Sequence, residues 1–179
     1  QKCCINTIFM KNLESLIKTY NDFPKKGIAF KDLLGILQDS EVFRELILKM
    51  CSKQVIKDSD AIISIEARGF IFGSAICFHS SKPMIVARKP GKLPGELLQE
   101  NYNLEYGESS LAIQKESLNK FTSYAIVDDV LATGGTVDCI AKLITKNGKN
   151  VSGLVTIIEL EKLCGRSKFD FPVESIISI

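Results

Sequence analysis

The stretch AIVDDVLATGGT, residues 125–136, decides the reading of this chain. Apolar strand residues lead into two adjacent carboxylates, then a loop of small residues, then a helical pattern. A strand over 124–127, buried in a sheet, would deliver Asp128 and Asp129 at the crevice where open α/β sheets bind ligands. Both acids can accept hydrogen bonds from vicinal hydroxyls. Ala132, Thr133, Gly134, Gly135 and Thr136 have side chains small enough to let backbone N–H groups approach an anion, and the two threonine hydroxyls add donors. A helix predicted over roughly 135–147 aims its N-terminal dipole at the same place. A phosphate oxygen there would gain charge-assisted bonds worth roughly 1.5–3 kcal/mol each. Together these residues describe a cradle for a sugar that carries a phosphate.

Working outward, strands alternate with helices. Apolar runs predict strands at Ala61–Ile65 and Met84–Ala87 with a helix over 69–78 between them, and further strands over 151–158 and 175–177. That alternation builds an α/β fold with a central, mostly parallel sheet flanked by helices. Leu13, Leu16, Ile17 and Tyr20 recur at helical spacing and predict a first helix, while residues 22–30, marked by Pro24 and Gly27, read as a loop. Val42, Phe43, Leu46, Ile47 and Met50 mark a second helix, introduced by Asp39 and Ser40 as a cap signal. Residues 89–101 hold Pro90, Gly91, Pro94 and Gly95 and read as a long mobile loop between strands over 102–106 and 111–114. Loops of that length inside a compact domain are commonly functional lids. Residues 10–179 therefore read as a single domain, with a small N-terminal hood over about 10–35 and a lid region over about 89–110. Residues 1–9 precede a natural amphipathic beginning at Met10 and are expected to be a leader or an extended start.

At 179 residues the chain is long enough to bury a sizeable core, and 45% apolar with 25% charged residues is ordinary globular composition. The net charge of +2 comes without a basic stripe interleaved with aromatics, so no nucleic-acid partner is expected. Neither a membrane-length apolar run nor a signal-type apolar region appears, so no membrane partner is expected and the cytoplasm is the expected compartment. The cysteines at 3, 4, 51, 77, 139 and 164 form no CxxC pair, and His79 is the sole histidine. Reduced thiols are the better reading. Cys51, Cys77 and Cys139 fall in apolar helical patterns and read as core thiols, and His79 as a surface or capping residue.

The string at 125–136 resembles the phosphoribosyl-pyrophosphate (PRPP) motif of type I phosphoribosyltransferases. Five further segments narrow the likeness to the adenine phosphoribosyltransferases: DFPKKGIAFKD (22–32), EARGFIFG (66–73), ARKPGKLPGE (87–96), LEYG (104–107) and IELEKLCGR (158–166). The resemblance implies the type I phosphoribosyltransferase fold and a pentosyltransferase of purine salvage. Such an enzyme moves 5-phosphoribosyl from PRPP to N9 of adenine, giving AMP and pyrophosphate through an oxocarbenium-like transition state. It implies Asp128 and Asp129 on the ribose and residues 132–136 on the 5-phosphate. Glu66, Ala67 and Arg68 would form the pyrophosphate loop, with a non-proline cis peptide at Glu66–Ala67 and with Gly69 turning the backbone into a helix. Arg88, Lys89 and Lys92 would belong to a lid whose cations stabilise the leaving group, Arg88 reaching toward a neighbouring subunit of a homodimer. Mg²⁺ would arrive with PRPP, near Asp128 and Asp129 and without a protein metal cage.

For the base, the resemblance gives the Ala29 carbonyl to the 6-amino group and the Lys31 amide to N1, with Phe30 and Leu160 on the two faces. A 6-oxo purine reverses that donor pattern, and sites that read hydrogen bonds can reject the wrong partner by about 10⁴. Glu105 would take the N7 proton as N9 attacks the anomeric carbon. Two departures stand out. Lys31 replaces a frequent arginine, and Leu34-Gly35 replaces a common Xaa-Pro, a change expected to loosen the hood. Alternatives within reach are a phosphoribosyltransferase for another purine and a non-catalytic PRPP-sensing regulator. A dinucleotide binder is weaker, since no GxGxxG follows a first strand.

Overall fold

The computed structural model describes residues 2–104 and 107–179. It forms two compact units, Gln1–Leu48 and Lys49–Ile179.

The first unit opens with helix α1, Lys2–Ser15. This helix runs through the segment expected as a leader and ends before three of the four apolar residues that predicted it, Leu16, Ile17 and Tyr20. Instead of continuing to Tyr20, the chain forms strand β1, Lys18–Asn21, paired antiparallel with β2, Ala29–Asp32, in the register Tyr20↔Phe30. Tyr20 and Thr19 are good strand residues, and cross-strand pairing overrides the weak helical spacing. The predicted loop 22–30 is thus the tip of a hairpin, held by Gly27 N–H on the Asp22 carboxylate at 2.7 Å. Gly35 sits at a close approach of two backbone segments. A β-carbon there would stand 2.7 Å from the Leu16 carbonyl oxygen, so the glycine allows two backbone segments to touch. Helix α2, Ser40–Cys51, starts where the cap signal placed it. The Asp39 carboxylate accepts from the N–H groups of Glu41 and Val42 at 3.1 and 3.0 Å.

The second unit is built on the predicted alternation. Its elements are α3 (Gln54–Lys57), β3 (Ala61–Ile65), α4 (Gly69–Ser80), β4 (Met84–Ala87), β5 (Leu97–Leu104), β6 (Gly107–Gln114), α5 (Lys115–Asn119), β7 (Ser123–Leu131), α6 (Gly135–Lys146), β8 (Asn150–Glu159) and β9 (Val173–Ser178). Five strands make one sheet in the order β4-β3-β7-β8-β9, every neighbour parallel. Strands buried on both faces read as near-continuous apolar runs, and all five residues of β3 are buried, the one polar residue, Ser64, donating its hydroxyl to the Gly69 carbonyl at 2.6 Å. Ile63, Ile126, Leu154, Ile140 and Ile144 sit together in the core of this unit.

The lid region differs from its expectation. Most of it is an antiparallel pair, β5 with β6, in the register Leu98↔Ile113 and Tyr102↔Ser109. Leu111, Ala112 and Ile113 are buried in the core, and Lys146 of α6 holds the Glu100 carboxylate at 2.6 Å. The run Leu111–Ile113 on β6 is buried residue by residue, which a free loop is not. Among the described residues of this region, the stretch between β4 and β5 is what remains outside the strands.

Candidate active site

The strand order places a topological switch between β3 and β7: from β3 the chain goes outward to β4, and from β7 it goes the other way to β8 and β9. Loops leaving the carboxyl ends of two such strands diverge and leave a crevice. The β3 pairing of β7 ends at Ser64↔Val127, whereas the β8 pairing continues to Leu131↔Glu159. β7 is therefore longer than predicted, and its two acids stand where it has lost one neighbour. Asp128 is half-buried and Asp129 buried, and the Asp129 N–H donates to the Asp128 carboxylate at 2.9 Å. Desolvation, followed by the charge of Asp129, pushes the Asp128 carboxyl well above the usual carboxylate range, against an opposing pull from Arg68.

Beyond the acids, residues 132–136 turn the chain into α6. Gly134 has φ +80° and ψ 0°, a left-handed conformation that frees the turn from any side chain at this point. No side chain caps the helix there, and the first intrahelical bond runs from Asp138 N–H to Gly134 C=O. The amides of that first turn have no partner within the helix and face the dipole's positive end. Asp128 and residues 130–137 line a cavity of about 70 Å³ at this point. A larger hollow of about 410 Å³, bordered by Pro94, Glu96 and Lys115, holds none of the predicted site residues.

From β3 come Glu66, Ala67 and Arg68. The Glu66–Ala67 peptide is cis, as the resemblance implies. Arg68 joins the two loops: its Nε lies 2.6 Å from Asp129 Oδ2. The pair is close enough for strong charge attraction, but the N–H is not aligned on that oxygen, which is left without a hydrogen bond. Glu66, expected in the pyrophosphate loop, turns its carboxylate toward the residues that follow β4. Its side chain is only 7% exposed; it accepts from Lys89 N–H at 2.5 Å and Arg88 Nε at 3.0 Å and forms an ion pair with Lys92 Nζ at 3.6 Å. Desolvation raises its carboxyl, but these hydrogen bonds and charges outweigh that and hold it below the ordinary value. Arg88 is engaged within its own chain, on Glu66 and over the Phe70 ring at 5.9 Å from the centroid.

The residues expected at the base lie on both units. Ala29, Phe30 and Lys31 are on β2 of the first, and Leu160 follows β8 in the second, its N–H on the Leu131 carbonyl at 2.9 Å. A carbonyl and the amide two residues later share one edge of a strand, which suits Ala29 and Lys31 to an acceptor–donor pair. The Phe30 ring packs edge-on against Phe23, with centroids 5.1 Å apart. The Lys31 ammonium donates to Thr19 Oγ1 at 2.9 Å across the hairpin. Glu105 lies outside the described residues. Among the described residues no group of three or more His, Cys, Asp or Glu gathers to hold a metal. Cys77 and Cys139 are buried, with thiols pushed up to about 12 and about 11, chiefly by desolvation. Thiolate chemistry is thereby suppressed.

The sequence reading left one neighbour of the turn without a role. Gly165 packs directly behind it: a β-carbon there would stand 2.2 Å from the Ala132 carbonyl oxygen. Next to it, Arg166 grips Glu159 with Nε on Oε1 at 2.9 Å and Nη2 on Oε2 at 2.5 Å. An acid and a base seven positions apart stand about 10 Å apart along a helix and farther along a strand, so only the tertiary turn at 161–168 makes the contact visible.

No protein-family model matches the chain. It is similar to the adenine phosphoribosyltransferase of Prochlorococcus marinus strain MIT 9515, 66% identical over 166 residues that cover 93% of this chain and 97% of that protein. Among solved structures it is similar to the adenine phosphoribosyltransferase of Rhodothermus marinus, with TM-score 0.88, 32% identity, and 97% and 99% of the two chains covered. It is also similar to that of Saccharomyces cerevisiae in complex with D-2,5-dideoxy-2,5-imino-altritol 1,6-bisphosphate and adenine. There the TM-score is 0.86 at 31% identity, over 96% of this chain and 99% of that one.

Proposed function

This chain belongs to the adenine phosphoribosyltransferase family, pentosyltransferases that form AMP and pyrophosphate from adenine and PRPP, and from that premise we propose how its residues divide the reaction. The 5-phosphate rests in the turn 132–136, on the free amides at the start of α6 and the hydroxyls of Thr133 and Thr136. Asp128 and Asp129 accept from the ribose hydroxyls. Ala67 and Arg68, with Arg88, Lys89 and Lys92, surround the departing pyrophosphate, where fixed positive charge is worth most as negative charge develops.

Adenine presents its amino group to the Ala29 carbonyl and N1 to the Lys31 amide, with Phe30 and Leu160 as apolar contacts. N9 attacks C1′ as the C1′–O bond to pyrophosphate breaks and the leaving group takes the electron pair. The proton on N7 passes to Glu105. The unfilled hydrogen-bonding capacity of Asp129 Oδ2 fits a sugar hydroxyl, or a water on a magnesium ion held by PRPP oxygens. Magnesium bound there would neutralise charge on the pyrophosphate. A cytoplasmic homodimer completes the proposal, supported by the family resemblance.

The observation that supports this division best is the Arg68–Asp129 contact, which brings the pyrophosphate loop to the ribose acids at one crevice. Titration of AMP against ¹⁵N-labelled protein tests it. The amides of residues 133–136 should move with AMP and with ribose 5-phosphate but not with adenosine. Amides that ignore the phosphate would refute the assignment.

A further inference from the structure

We propose that Arg166, held by Glu159, is a positioning residue for the phosphate turn: it presses the backbone at Gly165 against Ala132 and so fixes where the amides of 132–136 point. The inference rests on reading that turn as the 5-phosphate site. Three observations build it.

The first is contact. A β-carbon on Gly165 would stand 2.2 Å from the Ala132 carbonyl oxygen and 3.1 Å from Leu131 Cδ1, and one on Gly134 would stand 2.9 Å from both the Gly165 carbonyl oxygen and the Phe169 ring. The segment from Gly165 to Phe169 is thus a wall behind the turn, in contact at both Ala132 and Gly134.

The second is anchorage. Arg166 makes a bidentate pair with Glu159, and its Nη1 donates to the Val173 carbonyl at 2.6 Å. Ser175 Oγ donates to the same Glu159 carboxylate at 3.0 Å. One guanidinium therefore ties the wall to β8 and β9 together. Two parallel N–H bonds fix orientation as well as distance, which a single ammonium cannot do.

The third is placement. Glu159 is opposite Leu131 in the β7–β8 register, and the next amide, Leu160 N–H, donates to the Leu131 carbonyl at 2.9 Å. The carboxylate that holds the wall is thus mounted beside the last residue of the strand from which the turn springs. Wall and turn share one foundation, so loosening Arg166 shifts one relative to the other. The Glu159 side chain is 7% exposed, and without its cation it would be a buried unpaired charge.

Steady-state kinetics and AMP affinity with R166M, E159Q, the double variant and, within the turn, T133V test this. Misplacing a binding group by about 1 Å can cost up to about 10²-fold, so R166M and E159Q should each raise the PRPP KM and the AMP Kd by about tenfold. The double variant should be no worse than either single one. The adenine KM, and kcat at saturating PRPP, should stay within about twofold. If R166M does not accumulate as folded protein, R166K serves, since it keeps the charge and loses the fork. A normal PRPP KM in the arginine variant beside a raised one in T133V would overturn the bracing role and leave the phosphate site standing. Normal values in both would overturn the phosphate site and the brace with it. A parallel rise in both substrates' KM with a fall in kcat would show general loosening, which also overturns the proposal.

Discussion

Gly134 and Gly95 have nearly the same positive φ, +80° and +83°, but different surroundings. A β-carbon at Gly95 would meet nothing within 4 Å, whereas one at Gly134 would stand 2.9 Å from the Gly165 carbonyl oxygen and 2.9 Å from the Phe169 ring. Replacing each with alanine separates conformational strain from crowding. Left-handed backbone costs an L-residue about 1–2 kcal/mol, offset by about 0.4–1 kcal/mol from a stiffer unfolded chain, so Gly95→Ala should lose about 0–1.6 kcal/mol. Overpacking adds roughly 1–3 kcal/mol, so Gly134→Ala should lose about 1–4.6 kcal/mol. The opposing atom is backbone next to the Arg166 anchor and cannot rotate away. Urea unfolding of both variants, fitted with a common slope, gives the difference. Equal losses at the two sites would refute the claim that the turn is packed tightly against 165–169. A larger loss at Gly95 would refute it more strongly.

Arg68→Met removes the cation beside Asp129, and at about 1.5–3 kcal/mol for a charge-assisted contact, kcat/KM for PRPP should fall about ten- to a hundredfold; an unchanged value takes Arg68 out of the site. Glu105→Gln should lower kcat by about 10²–10⁴ while PRPP affinity, read by equilibrium binding, persists. Two carboxylates should tilt the stability–pH curve in opposite directions. Glu159 is held low, first by its hydrogen bonds from Arg166, so its contribution is full above the ordinary carboxylate value near pH 4.3 and fades as pH falls through its lowered one. Asp128 is held high, so the folded state keeps a proton the unfolded chain has shed, and stability declines as pH rises from about 3.9 toward the raised value. Glu159→Gln should flatten the acid limb and Asp128→Asn should remove the decline, both measured as denaturation midpoints across pH. Iodoacetamide at pH 8 should label exposed Cys164 well before Cys77 or Cys139, whose thiols stay protonated there, with peptide mapping as the readout.

Where burial dictates pattern, the chain could be read directly. Ala61–Ile65 and Met84–Ala87 are strands at the predicted residues, because short, mostly apolar, β-branched-rich runs suit a buried parallel sheet. The order of acids, small residues and helix after β7 was legible for the same reason: each part serves one local geometry. Pairings that depend on a distant partner were less legible. Tyr20 fitted helical spacing until Phe30 claimed it across a hairpin, and the lid region looked open because its apolar residues are few and its partner strand is its own continuation. Glu66 was placed at pyrophosphate by resemblance, and nothing in its neighbours announced that its carboxylate would gather Arg88, Lys89 and Lys92.

The register Ser64↔Val127 has a practical corollary. Sliding β3 along β7 by a single residue would carry Arg68 about 3.3 Å and reverse every side chain on the strand. The guanidinium would leave Asp129, and each isoleucine of β3 would lose the packing partners of its own face for those of the other. Assembly of the crevice and correct alignment of the sheet are therefore one event. Counting the molecules in a preparation that bind nucleotide is thus a census of the chains whose central strands came together in step.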